Sequence, residues 1–151
     1  MSQTDGEALP EFATAQGDPL DFTARLKEFV AVQGIAFEVS DDIRPAKGMS
    51  SGGKITILPS LSPAEEFAVL VHETAHEFLH RGERRHQTTQ TVRETEAEAV
   101  AFVVASAIGL DLNTSSADYI HAGDKATLAE SLGFIQQTSA KILTGITPNS
   151  P

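Results

Sequence analysis

The stretch that most constrains this chain is AVLVHETAHEFLH over residues 68–80. Its centre, His72 to His76, reads H-E-x-x-H. On an α-helix, residues four apart lie on one face, one turn above the other. Both imidazoles can then reach one metal ion at roughly 2.0–2.1 Å. Glu73, beside the first histidine, can hold and deprotonate a water on that metal. Thr74 and Ala75 are small and uncharged, and Val71, Phe78 and Leu79 supply an apolar surround that keeps such a site dry. This pattern points to hydrolysis of an amide or ester bond. The competing reading is two histidines spaced by accident on a core helix, with Glu73 an ordinary surface glutamate.

The helix has a clear start. Ser62 can cap, Pro63 suits the first turn, and Glu65 can close a capping box, so the spacing predicts a helix to about His80, before Gly82. Upstream, Asp18-Pro19 reads as another helix start. Its stripe is Leu20, Leu26, Phe29 and Val30, and it stops at Gly34. Ile35, Phe37 and Val39 alternate with polar or small residues as a strand does, and Lys54–Leu58 is a second short strand closed by Pro59. Residues 41–53 read as a loop with no strand assignable from pattern, and 82–90 as a polar linker. A helix is predicted from the Thr91/Glu94 capping box to about Ile108, with a short turn near 115–120. A last helix is expected from Asp124 or Thr127 to about Leu143, with the stripe Leu128, Leu132, Ile135 and Ile142. Strands early and helices late imply an α+β domain over 18–144, a small sheet packed against a helical bundle carrying H-E-x-x-H. Residues 1–17 and 145–151 are expected as flexible tails.

A catalytic zinc takes three protein ligands and leaves a fourth position open, so the third ligand should come from a separate element. The helix after residue 91 offers Glu94, Glu96 and Glu98. Glu94 and Glu98 share one face. Glu96 points nearly opposite, in line with Val92, Val100, Val103 and Ala107. An acid in an apolar stripe is expensive unless it is paired or binds metal, which makes Glu96 the expected third ligand. The alternative is a buried acid satisfied by an arginine or a backbone donor. Glu94 is accounted for by the capping box, and Glu98 reads as a solvated acid or one behind a ligand.

Other residues carry weaker signals. His80 continues the four-residue spacing but sits about 5–6 Å further along the axis, too far for one ion to meet all three histidines. It fits a helix C-terminus, facing the dipole. Tyr119 or His121 can stabilise an oxyanion, or can be ordinary surface residues. Arg81, Arg84 and Arg85 form a small basic patch that reads as a solvated helix end.

With 21 Asp and Glu against 11 Lys and Arg, the chain carries a net charge of −10 and offers no broad footprint for nucleic acid. It has no cysteine, so metal ligands must be His, Asp or Glu. The N-terminal residues lack a signal-peptide pattern, and no run approaches the ~20 apolar residues of a membrane span. A soluble cytoplasmic protein, with no membrane partner, is expected.

The stretch 62–80 and the stretch ETEAEAVAF over 94–102 together resemble the ImmA/IrrE family of gluzincin-like metallopeptidases. The second stretch is similar to that family's E-x-x-A-N-x-F-A helix. Matching it puts the family's ligand glutamate at Glu96, its alanine at Ala99 and its phenylalanine at Phe102. The chain departs from it at Val100, where the family usually has Asn or Asp. There is also a resemblance to the metallopeptidase half of antirestriction-type proteins, here without their single-strand DNA-binding half. The resemblance implies a zincin-like fold and a regulatory protease that cuts a transcriptional repressor.

The leading expectation is therefore a Zn2+-dependent endopeptidase. His72, His76 and Glu96 are its ligands, Glu73 is its general base, and a specific protein, a transcriptional regulator, is its substrate. A second reading is a non-proteolytic regulatory binding module with a structural or vestigial metal. A third is a hydrolase of other bonds using the same water activation.

Overall fold

Ser62 starts the central helix of the molecule. Its Oγ accepts from the Glu65 backbone N–H at 3.2 Å, and Pro63 fills the first helical position. The Glu65 side chain leaves the expected capping box half made, because its carboxylate pairs with Lys47 Nζ at 2.8 Å.

The computed structural model describes residues 15–112 and 125–148. Their order is β1 (Ala15–Gln16), α1 (Phe22–Val32), β2 (Ala36–Val39), a 3-10 turn (Asp41–Ile43), β3 (Gly48–Ser50) and β4 (Lys54–Ile57). Then come α2 (Pro63–Leu79), α3 (Gly82–Gln87), α4 (Gln90–Ala107), β5 (Asp111–Leu112) and α5 (Lys125–Ile146). This is an α+β arrangement with a small sheet and several helices. β4 is the middle strand of three, with β2 parallel on one side and β3 antiparallel on the other. β1 and β5 form a separate two-stranded antiparallel ribbon.

Helix α2 is the hub. β3 and β4 lie along it, α1 and α4 pack against it, and α5 packs across α4 and α1. Leu26 and Val30 of α1, Ile55 and Ile57 of β4, Phe67, Leu70 and Val71 of α2, Val100 and Val104 of α4, and Ile142 of α5 are fully buried between them. α1 and α4 end alike. Gly34 and Gly109 take positive φ. Their amides bond to Ala31 O and Ser106 O, while the next residues, Ile35 and Leu110, bond back to Val30 O and Ala105 O. This is the paired bonding in which glycine ends a helix without a Cβ penalty.

Several elements differ from the sequence reading. α1 starts at Phe22 because the Asp18 carboxylate accepts from Leu20 N at 2.8 Å, which makes a separate turn first. Leu20 is accordingly exposed rather than part of the stripe. Val39 is half exposed on the edge strand β2. The loop 41–53 supplies β3, a strand of Gly, Met and Ser that shows no alternation to read. The linker 82–90 contains α3. The N-terminal tail gives up Ala15 and Gln16 to β1. α5 runs past Leu143 to Ile146, which is buried, and Gly145 is there because the Phe29 ring occupies the place a Cβ would need. Leu132 of the expected stripe is half exposed, and the Leu128 side chain lies outside the described residues. So do residues 1–14, the turn expected at 115–120, Tyr119 and His121. Among the described residues no helix is long and apolar enough to cross a membrane.

Candidate metal centre

Residues 72, 76 and 80 form one row along α2, and α4 lies beside that row. Helix α4 is capped two residues before the Thr91 that the pattern predicts. Thr89 is the cap, its Oγ1 accepting from Val92 N at 3.1 Å. The Glu94 side chain is thereby released from capping and reaches the histidines. Its Oε1 lies 3.1 Å from His72 Nε2, and its Oε2 lies 3.1 Å from His76 Nε2.

His72, His76 and Glu94 each offer one ligand atom, and these atoms all lie within 4.8 Å of one another, so this group could hold a metal ion. Two imidazoles and a carboxylate are a donor set that suits a borderline cation. Behind it, His72 Nδ1 lies 3.1 Å from Glu98 Oε1. Such a carboxylate behind a ligating histidine orients the ring and raises its basicity. Glu98 is buried, which decides its case: it is no solvated acid.

Glu96 is not in this group. It is fully buried on the other flank of α4, between α2, α3 and α5. Arg84 of α3 grips its carboxylate with both terminal nitrogens, each at 2.7 Å. His80 Nε2 lies 2.8 Å from Oε1, and Ser131 Oγ of α5 donates to Oε2 at 2.6 Å. The expectation that Glu96 is the third ligand is therefore corrected. The acid in the apolar stripe finds its counter-charge within the protein, and Glu94 stands beside the histidines in its place. The physical reason is that α4 is covered on two faces, by α2 and by α5, so a helical wheel with one inside misassigns its acids. Val103 and Ala107 of the supposed inner stripe are exposed. Val100, the departure from the family pattern, is fully buried in the core.

Arg84 is thus no part of a solvated helix end. Its guanidinium also stacks 3.9 Å from the centroid of the Phe134 ring. His80 is the residue that closes α2, and its second nitrogen, Nδ1, lies 2.7 Å from His76 Nδ1. Glu77 faces away from the site. Its carboxylate accepts from Gly53 N at 2.7 Å, from Gly52 N at 3.2 Å and from Ser50 Oγ, pinning the β3–β4 turn to α2.

The electrostatics follow this geometry. Burial alone would keep His72 neutral, but hydrogen bonds to Glu94 and Glu98 and the nearby Glu73 charge outweigh it and raise its pKa to about 10. For Glu94, burial is outweighed in the same way by its hydrogen bonds to His72 and His76, which hold it far below the usual carboxylate range. Burial lowers His76, although Glu94 opposes it. Burial raises the Glu73 carboxyl to about 7; the His72 charge opposes this, and Glu94 and Glu77 add to it. Glu96 goes the other way. Burial pushes it up, but His80, Arg84 and Ser131 bring it down to about 2.

Glu73 is held closely. An ideal Cβ on Gly48 of β3 would sit 2.6 Å from Val69 Cγ1 and 2.9 Å from both Cγ and Oε2 of Glu73, so only glycine lets this edge strand lie over that side chain. The sequence reading missed Glu94, His80, Arg84 and Ser131. A usable signal for Glu94 was its four-residue spacing to Glu98, the same spacing as His72 to His76. Compared with protein-family models, with curated proteins and with solved structures, the chain matches none.

Proposed function

We propose that this chain is a zinc-dependent peptidase of the zincin type. The observation that carries the reading is the convergence of His72 Nε2, His76 Nε2 and a Glu94 carboxylate oxygen, with Glu73 next in the chain to the first of them. Zinc held there would act as a Lewis acid, polarising a carbonyl and lowering the pKa of water to about 7. Glu73 then serves as general base. It takes a proton from the attacking water and returns it to the leaving amine nitrogen. Glu98 holds the His72 ring from behind.

A polypeptide substrate is supported by β3. It is an edge strand of the three-stranded sheet, and Gly48 brings that edge against Glu73. An edge strand offers backbone groups to which an extended peptide can add. The resemblance of residues 62–80 and 94–102 to regulatory metallopeptidases supports a transcriptional repressor as the protein that is cut, and a cytoplasmic setting.

The test combines metal analysis with digestion of a peptide library drawn from cytoplasmic proteins. One zinc per chain is expected, with cleavage products that vanish on chelation. Glu73→Gln should retain the zinc and lose the cleavage. A chain without zinc would end the reading. A chain that keeps its zinc but cuts neither the library nor co-expressed repressors would be a binding module instead.

A further inference from the structure

Arg81, Arg84, Arg85 and Arg93 gather where α2, α3 and α4 meet, in a chain whose net charge is −10. Three of them are engaged within the fold. Arg84 is taken up by Glu96. Arg81 Nη1 lies 3.7 Å from Glu77 Oε1. Arg93 turns back on α3, where its Nη1 donates to Arg85 O at 3.0 Å, to Thr88 O and to Thr88 Oγ1 at 3.3 Å. An arginine that bonds the last carbonyls of a helix in this way fixes the helix end. Arg85 differs from all three. It is exposed, and its side chain pairs with no acid among the described residues, whereas Arg25, Arg44, Arg81 and Arg84 each have one. Its place is fixed all the same. Arg93, which holds the Arg85 carbonyl, directly precedes Glu94, and the Glu94 carboxylate lies 3.1 Å from both His72 and His76. Arg85 therefore stands on the rim of the metal centre, near enough for its charge to add to the burial that lowers His76. β3, with Gly48 against Glu73, borders the same centre.

We propose that Arg85 is a specificity-determining residue, which receives an aspartate or glutamate side chain of the polypeptide substrate a few residues from the bond that is cut. The planar guanidinium matches a carboxylate with two parallel hydrogen bonds. A substrate acid needs such a partner here. Glu73, Glu94 and Glu98 crowd the centre with carboxylates, and the rest of the surface is acidic too. Exposed charges further off than about 8 Å are largely screened at physiological salt, so the cation at the rim decides which side chains are accepted there. A side chain, rather than a chain end, is the source of the carboxylate, because an extended peptide added along β3 continues past the centre. The inference rests on the peptidase reading and names the substrate class for that site.

The experiment digests a random peptide library with the full, zinc-loaded chain and maps the cuts by mass spectrometry. The peptides are acetylated and amidated, so that only side chains carry charge, and a second library leaves the C-terminal carboxylate free. At low salt, Asp and Glu should be enriched about 3–5-fold at one position near the cut, the range of an exposed ion pair, and the enrichment should shrink at high salt. Arg85→Glu should abolish it and favour Lys and Arg at the same position. Arg85→Lys should keep part of it. Arg81→Gln removes a neighbouring cation that already has its acid, and should leave the profile as it was. Cleavage without acid preference overturns the role of Arg85 and leaves the peptidase reading standing. So does a preference that survives Arg85→Glu, or one that Arg81→Gln erases equally, which would mark a diffuse field. Acid-independent cutting confined to the library with free C-termini overturns it as well, in favour of a chain-end carboxylate. If the unaltered chain cuts neither library, the peptidase reading fails, and the role of Arg85 fails with it.

Discussion

Two groups of histidine and acid lie between the same pair of helices, and they are built in opposite ways. Around Glu96 the protein supplies a guanidinium, an imidazole and a hydroxyl for one carboxylate, and that carboxyl is held near pKa 2. Around His72 and His76, the carboxylates Glu73, Glu94 and Glu98 gather on two imidazoles. There the shifts diverge, with Glu73 raised and Glu94 lowered. The first group is a satisfied network, which stiffens a core. The second is rich in acid, and its offered atoms lie within 4.8 Å of one another, so it could hold a metal ion. The contrast shows that burial of an acid does not by itself mark a ligand. Glu96 is held by a guanidinium from within the protein, whereas Glu94 faces imidazoles that could themselves bind a metal ion.

The sharpest way to break this comparison is to remove the counter-charge. Arg84→Ala leaves Glu96 buried without its guanidinium, and breaking such a pair costs about 3–5 kcal/mol. At about 2–4 °C per kcal/mol for a chain of this size, the midpoint of thermal unfolding should fall by roughly 6–20 °C. A fall of a degree or less would mean that the Glu96 network carries little structure.

Exchanging the two acids comes next. Glu94→Gln should weaken zinc binding by about 100-fold or more, which is about 2.7 kcal/mol. Glu96→Gln should act mainly on stability, and on affinity only within the range of an outer partner. Chelator competition on both variants checks this. If Glu96→Gln loses zinc outright while Glu94→Gln keeps it, the assignment of the two groups is reversed.

Titration separates Glu96 from Glu73, because these two acids shift in opposite directions. Glu96 goes from 4.5 to about 2 on folding, so it contributes stability above about pH 4.5 that is lost as pH falls through 2. Glu73 goes from 4.5 to about 7, so its penalty is absent below about pH 4.5 and complete above 7. Glu73→Gln should therefore stabilise the metal-free chain by about 3 kcal/mol at pH 8, at 1.36 kcal/mol per pKa unit, and by little at pH 4. Urea unfolding at the two pH values checks this. An equal effect at both would remove Glu73 from the strained group. Gly48→Ala attacks the same residue from the sheet. Its Cβ must displace Val69 and Glu73, at a cost of about 1–3 kcal/mol, and cleavage should fall more than zinc binding does.

Much of this was legible in the chain, and the failures share a cause. H-E-x-x-H, the Ser62 start and the strand at 54–57 are local signals, and the structure keeps them. The assignment of Glu96 needed tertiary knowledge. Periodicity placed it correctly as buried, but could not say which neighbour would bury it. Arg84 sits in a polar stretch that gives no sign of turning inward, and Ser131 lies 35 residues away. β3 was invisible because Gly48, Met49 and Ser50 form a strand through pairing with β4 and packing on α2 rather than through their own pattern.

The smallest effect concerns the cap that decides which acid is available. Two threonines compete to start α4, and the structure uses Thr89, whose Oγ1 accepts from Val92 N. Removing a threonine cap costs about 1 kcal/mol. Thr89→Ala should show that loss, whereas Thr91→Ala, one residue inside the helix, should cost no more than a few tenths, since alanine is the better helix former there. If the order were reversed, the cap would lie at Thr91. Glu94 would then be drawn back toward the helix start, as the sequence pattern implied. Zinc affinity measured on the same two variants would follow, because a Glu94 carboxylate committed to a backbone N–H has less to give to an ion.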